Sequence, residues 1–203
     1  MSKIRPFRAW RPRPEIAERV ASPPYDVLSS TEAREMAAGN EVSFLHVIKP
    51  EIDLDPGIDP HDPLVYETGG SNLRRLIEEG VLVREDGPCF YVYQQKMDDH
   101  VQAGLVAGAS VDEYEAGLIK KHEFTRPDKE DDRTRHVSAL NANTGPVFLT
   151  YRSVEAVDRL VDTIRTRQPE YDFVSPDGIG HTLWVVSDEA EIRQLSAAFA
   201  TIG

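Results

Sequence analysis

The sequence predicts an α+β protein, with mixed sheets and flanking helices. Three observations carry that expectation. Apolar residues recur at helical spacing, as in Leu73, Leu76 and Ile77, and again in Val157, Leu160, Val161 and Ile164. Short runs of strand character lie between them, around Phe90, Tyr91, Val92 and Tyr93 and around Leu183, Trp184, Val185 and Val186. The 203 residues are 40% hydrophobic and carry those residues along their whole length, enough to bury a core.

The elements follow in order. Residues 4–10 read as a short strand among the cations Lys3, Arg5, Arg8, Arg11 and Arg13, broken by Pro12 and Pro14. Residues 15–20 make a helical turn. Ser22-Pro23-Pro24-Tyr25-Asp26-Val27 is too proline-rich for a helix or a central strand, so it is an ordered loop or an edge. Ser29 and Glu32 have the spacing of a capping box, and the helix they open stops at Gly39-Asn40. Residues 42–48 read as a strand carrying a hydrogen-bonded structural His46. Residues 50–63 form a loop whose Asp53, Asp55, Asp59 and Asp62 lack the ligand ladder of a calcium site. Residues 64–79 form a helix closed by Gly80, with Gly69-Gly70 as a candidate break.

Further on, Val81-Leu82-Val83 and residues 90–94 flank Asp86-Gly87, a hairpin signal. Residues 101–110 read as a strand, 111–119 as a short helix or turn, and 120–126 as irregular. Pro127 suits the first position of a helix, and Asp128, Glu130, Asp131 and Asp132 suit its positive end. That helix is expected to end near Asn143-Thr144-Gly145. Residues 146–151 read as a buried strand, 154–167 as an amphipathic helix, 171–174 and 182–186 as strands, and 188–200 as a closing helix. The weakly marked boundary near residue 110 divides the chain into 1–110 and 111–203.

Charge and composition exclude several function classes. Lys and Arg number 23 against 35 Asp and Glu, a net charge of −12. That balance disfavours nucleic acid as a partner, because phosphate backbones call for a basic face. No apolar run approaches the roughly 18 residues of a membrane span. The start lacks the apolar core of a signal peptide, and a reducing cytoplasm is the expected compartment. The single Cys89 excludes a disulfide framework or an all-cysteine zinc site, and it reads as a small buried strand residue.

The densest polar stretch runs from Lys120 to His136. At 100° per residue, Lys129, Arg133, His136 and Leu140 fall on one helical stripe with Val137 beside it. Val137 and Leu140 are expected to face the body, so Arg133 points inward and needs an anionic partner: Glu123, or a bound phosphate or carboxylate. Asp128, Asp131 and Arg135 fall on the solvated side. Two readings stand. One is a salt-bridged amphipathic helix after a polar loop. The other is an anion-handling site, with Lys121, Arg126, Arg133 and His136 supplying positive charge and Glu123 an acid or base, the mixture phosphoryl transfer needs. His122 and His136 do not have a zinc spacing, so no metal site is expected. Pro23-Pro24-Tyr25-Asp26 is a second constellation. It is either a packed Tyr with Asp26 capping the turn, or a contribution of Tyr25 and Asp26 to the site.

Taken together, these stretches resemble a known family. Arg5-Pro6-Phe7-Arg8-Ala9, Pro23-Pro24-Tyr25-Asp26-Val27, Ser43-Phe44-Leu45-His46-Val47, Pro50-Glu51-Ile52-Asp53-Leu54, Ile119-Lys120-Lys121-His122-Glu123, Thr125-Arg126-Pro127-Asp128-Lys129, Asp132-Arg133 with His136, and Thr144-Gly145-Pro146-Val147-Phe148-Leu149 occur in order across essentially the whole chain. They resemble the prokaryotic domain-of-unknown-function family numbered 1015. That resemblance implies a further Asp-Gly-His-His-Arg stretch that this sequence does not contain, so the chain is expected to correspond to the N-terminal part of a member. A more distant similarity links the second half to an incomplete ParB/sulfiredoxin-like domain lacking its phosphate loop, as in free serine kinases.

The resemblance implies a phosphotransferase-like, kinase-like enzyme for a small metabolite or amino acid, using nucleotide and Mg²⁺. It would make Glu123, beside His122, the acid/base, and Arg126, Arg133 and His136 anion contacts. The alternatives are a non-catalytic module that binds an anionic ligand, and a ParB-like nucleic-acid binder.

Overall fold

The computed structural model describes residues 3–122 and 124–202. In chain order its strands and helices are β1 (Ile4–Arg5), β2 (Trp10–Pro12), α1 (Ala17–Val20), α2 (Ser30–Ala37), α3 (Leu45–Ile48), α4 (Pro63–Glu78), β3 (Leu82–Arg84), β4 (Phe90–Met97), β5 (His100–Val106), β6 (Gly108–Ala109), α5 (Val111–Glu115), α6 (Pro127–Leu140), α7 (Glu155–Arg165), β7 (Tyr171–Val174), β8 (Gly180–Val186) and α8 (Glu189–Phe199). The protein is α+β with small antiparallel sheets. None of the described helices is long and apolar enough to cross a membrane.

The chain packs as two compact units. The first is Met1–Pro14, Arg84–His122 and Leu149–Gly203; the second is Glu15–Val83 and Glu123–Phe148. Residue 110 lies inside the first unit.

The first unit is built on a four-stranded antiparallel sheet of order β5-β4-β8-β7. Register is set by pairs such as Val92 with Trp184 and Tyr171 with Leu183. Side chains alternate along a strand, so Phe90, Val92, Trp184 and Val186 share one face. They pack there against Ile164 of α7 and Leu195 of α8. β1 pairs with β6, Ile4 opposite Ala109.

Asp86-Gly87 does not form the expected hairpin, because β3 and β4 are not hydrogen-bonded neighbours. The N-terminal segment takes the available partners instead. Phe7 and Cys89 exchange two backbone hydrogen bonds of 3.0 Å, and the Glu85 N–H donates to the Ala9 carbonyl. Arg11 ties the same segment to the sheet through Glu85, Glu170 and the Tyr171 hydroxyl.

The second unit is helical. Val20, Val47, Leu73, Leu76, Val81, Leu82 and Leu140 form one core cluster, and Ala33, Ala37, Leu45, Ile48 and Ile52 form another. The capping box at the start of α2 is present, with Ser29 and Glu32 bonding reciprocally. α4 runs unbroken through Gly69-Gly70. The reason is close approach: a Cβ on Gly69 would lie 3.0 Å from the Val47 carbonyl oxygen, and one on Gly70 would lie 3.0 Å from that of Ala139. The pair lets α4 seat against α3 and α6.

Two expected strands are absent. Residues 45–48 form α3 rather than a strand, with Leu45, Val47 and Ile48 all buried. A short apolar run reads equally as a strand or as a buried helical turn. Residues 146–151 have no regular structure, and Val147 and Phe148 are 77% and 76% exposed. No strand among the described residues pairs with them.

Candidate functional site

α6 starts as its sequence requires. Arg126 is the extended N-cap residue, Pro127 fills the first helical position, and Asp128 and Glu130 sit in the first turn. Its inward stripe is Asp132, His136 and Leu140, spaced by four, all buried. Val137, expected to face the body, is 40% exposed. The one-residue offset rotates it past the edge of the buried stripe. Asp131 and Arg135 pair on the solvent side at 2.8 Å.

Asp132 organises the site. Its Oδ1 accepts the Tyr66 hydroxyl at 2.7 Å and faces His61 Nδ1 at 3.3 Å. Its Oδ2 accepts both Nε and Nη2 of Arg133, at 3.1 and 2.7 Å. Burial pushes the Asp132 carboxyl up, but the Tyr66 and Arg133 hydrogen bonds outweigh it, and the group titrates below the usual carboxylate range. Burial and the same hydrogen bond push the Tyr66 hydroxyl up to about 12, so it stays a donor. The Arg133 guanidinium also lies 3.9 Å from the ring centroid of Tyr25. An inward Arg133 was expected to need an anion. Asp132, the residue beside it, is that partner.

His136 is 2% exposed, and its Nε2 lies 2.9 Å from the Val47 carbonyl oxygen. A carbonyl only accepts, so Nε2 carries the proton and the neutral ring keeps its lone pair on Nδ1. Burial holds this histidine below its ordinary pKa. On the facing wall, Glu51 is buried, with Oε1 accepting from Ser30 Oγ at 2.8 Å and pairing with Lys49 Nζ at 3.0 Å. The 3₁₀ turn that carries Glu51 (Pro50–Asp53) is pinned by Arg34, which donates to the carbonyls of Glu51, Ile52 and Leu54 at 2.9–3.1 Å. His46 is structural, as expected, though on α3. Its two nitrogens meet Asp53 Oδ1 at 2.7 Å and the Asn40 carbonyl at 3.1 Å, and the Asp53 contact raises its pKa.

These groups line a cleft of about 400 Å³ in the second unit. Of the residues singled out from sequence, Tyr25, Asp26, Arg133 and His136 come together there. Arg126 is not in the lining. It is exposed and bonded to Asp128 at 2.7 Å. Lys121 and His122 are exposed residues of the first unit, and Lys121 lies 4.6 Å from the Tyr114 ring centroid. Glu123 lies outside the described residues. Sequence reasoning missed Asp132, Tyr66, His61, Lys49 and Glu51 as lining residues, while Lys129, placed on the stripe of Arg133 and His136, is in the lining with them. The four-residue spacing of Asp132, His136 and Leu140 was the available signal for the first of them. No group of three or more His, Cys, Asp or Glu among the described residues is placed to hold a metal ion.

No curated protein and no solved structure matches the chain. The family described as "protein of unknown function (DUF1015)" matches it over residues 4–202. That span takes in both units and every lining residue of the cleft, and the chain belongs to the DUF1015 family.

Proposed function

We propose that the cleft of the second unit binds a small anionic metabolite, and that the protein is phosphotransferase-like. The observation that carries the reading is Arg133, held by Asp132 on one edge and by the Tyr25 ring on one face, in the wall of a cleft of metabolite size. A guanidinium fixed in this way loses little freedom on meeting an oxyanion. Lys129, one helical turn before Arg133, adds a second cation to the same wall. The chemistry would draw on Glu123 as acid/base beside His122, the roles the family resemblance implies. A nucleotide would bring Mg²⁺ on its phosphates, a mode that asks the protein for only one or two carboxylates.

A purely binding module is the second reading. It is favoured by the engagement of both buried carboxylates: Asp132 by Tyr66 and Arg133, Glu51 by Ser30 and Lys49. Neither is left over to take a proton from a substrate.

Thermal unfolding of the chain with candidate metabolites, nucleotides and Mg²⁺, paired with a phosphoryl-transfer assay, tests both. A ligand at about 100 times its dissociation constant adds roughly 2.7 kcal/mol of stability. The expected result is a melting shift that Arg133→Met removes, with turnover that Glu123→Gln abolishes while the shift persists. Binding without turnover selects the module. No shift with any anion overturns the cleft reading.

A further inference from the structure

We infer that the anion this cleft takes is a carboxylate rather than a phosphate, carried by a small molecule that also bears a hydrogen-bond donor. The inference rests on the anion-cleft reading and narrows it.

The edge of Arg133 decides the geometry. A guanidinium has two forks: a side-on fork of Nε–H with one Nη2–H, and an end-on fork of Nη1–H with the other Nη2–H. Asp132 Oδ2 occupies the side-on fork through Nε and Nη2. Nη1 donates to nothing among the described residues, so the end-on fork is open. Tyr25 lies against one face and Asp132 against one edge, which fixes the plane in which that fork points. One planar carboxylate matches one such fork.

Charge then discriminates between oxyanions of similar reach. Among the described residues, the cations of the lining are Lys49, Lys129 and Arg133, and the carboxylates are Asp26, Glu51 and Asp132. Three against three leaves no formal surplus. A dianionic phosphate would meet three carboxylates with no excess of positive charge, whereas a monoanion asks for a single cationic fork. Glu51 already neutralises Lys49, and Asp132 already faces Arg133, so the unengaged groups are Lys129, the end-on fork and Asp26. The first two suit the carboxylate. Asp26, exposed in the lining and without a hydrogen-bond partner among the described residues, suits a hydroxyl or ammonium at the ligand's other end.

The test is calorimetric titration of the whole chain with glycolate and with inorganic phosphate at matched ionic strength, for wild type, Arg133→Lys, Arg133→Met and Asp26→Asn. Glycolate is expected to bind at least about tenfold more tightly than phosphate, one charged hydrogen-bonded contact's worth of discrimination. Arg133→Lys keeps the charge without the fork and is expected to lose that preference. Arg133→Met loses binding, and Asp26→Asn weakens glycolate alone. Phosphate binding as tight as glycolate, and dependent on Arg133, overturns the carboxylate inference while the cleft reading stands. Glycolate binding indifferent to Arg133 overturns the inference too. Silence from both anions overturns the inference and the cleft reading together.

Discussion

The Tyr66 hydroxyl donates to Asp132 Oδ1 at 2.7 Å, joining α4 to α6 between residues 66 positions apart in the chain. One hydrogen bond thus connects two helices that each contribute residues to the cleft wall.

Removing that bond has a defined cost. Tyr66→Phe keeps the ring and deletes the donor, so a loss of about 1–2 kcal/mol in urea unfolding is expected. Asp132 contributes stability above its unfolded pKa, and loses it as pH falls through its lowered folded value. Without Tyr66 that folded value rises toward the unfolded one and the acid-side contribution shrinks, which a pH series of unfolding midpoints on the two proteins reads directly.

Two histidines of the second unit act with opposite sign. His46 gains Asp53 and titrates above its usual value, so its contribution is present below about pH 6.5 and lost as pH rises through the folded pKa. His136 is depressed by burial, so its contribution is present above about pH 6.5 and lost as pH falls toward its folded pKa. Proton NMR titration is expected to give midpoints on either side of the ordinary imidazole value. Asp53→Asn should bring only the His46 midpoint down.

Gly69→Ala inverts the usual rule for a helical glycine. Alanine ordinarily gains up to about 1 kcal/mol in a helix interior. Here its Cβ would lie 3.0 Å from the Val47 oxygen and 3.1 Å from Pro50 Cγ, and overpacking of that kind costs about 1–3 kcal/mol. Net destabilisation is expected. Equal or greater stability in chemical unfolding would show that α3 yields to the added methyl.

Arg34→Met removes the side-chain donor shared by three carbonyls of the turn around Glu51. A loss of about 2 kcal/mol is expected, since these are hydrogen bonds to a charged group. Arg34→Lys should recover only part of it, because an ammonium does not reproduce the guanidinium's spread of donors. Unfolding midpoints of the three proteins compare the two.

Much of the fold was legible because its signals are local. Ser29 with Glu32, and Pro127 with the acidic turn after it, announce helix starts through chemistry confined to four residues. Elements decided by distant partners were not. Asp86-Gly87 has hairpin chemistry, but Phe7 and Ala9 claim its flanks. Gly69-Gly70 looks like a break until the oxygens of Val47 and Ala139 are placed beside it. In the cleft, Tyr25, Asp26, Arg133 and His136 stood out by residue type and spacing. Asp132 hid in a run of mixed charge, where a carboxylate ordinarily faces water, and Tyr66 and Glu51 carry no sequence mark of their place.

The interleaved course of the chain bears on how the cleft comes into being. Tyr25, Lys49, Glu51 and Tyr66 belong to Glu15–Val83, whereas Asp132, Arg133 and His136 belong to Glu123–Phe148, and the intervening Arg84–His122 belongs to the other unit. Every polar bond between α4 or α3 and α6 therefore closes a long loop, paying its entropy before any contact rewards it. The cleft is thus assembled by long-range contacts, and a chain cut anywhere in Arg84–His122 carries the larger share of its lining on one fragment and Lys129, Asp132, Arg133 and His136 on the other. Recovery of the folded second unit by such a nicked protein is a readout of reassociation between the two fragments.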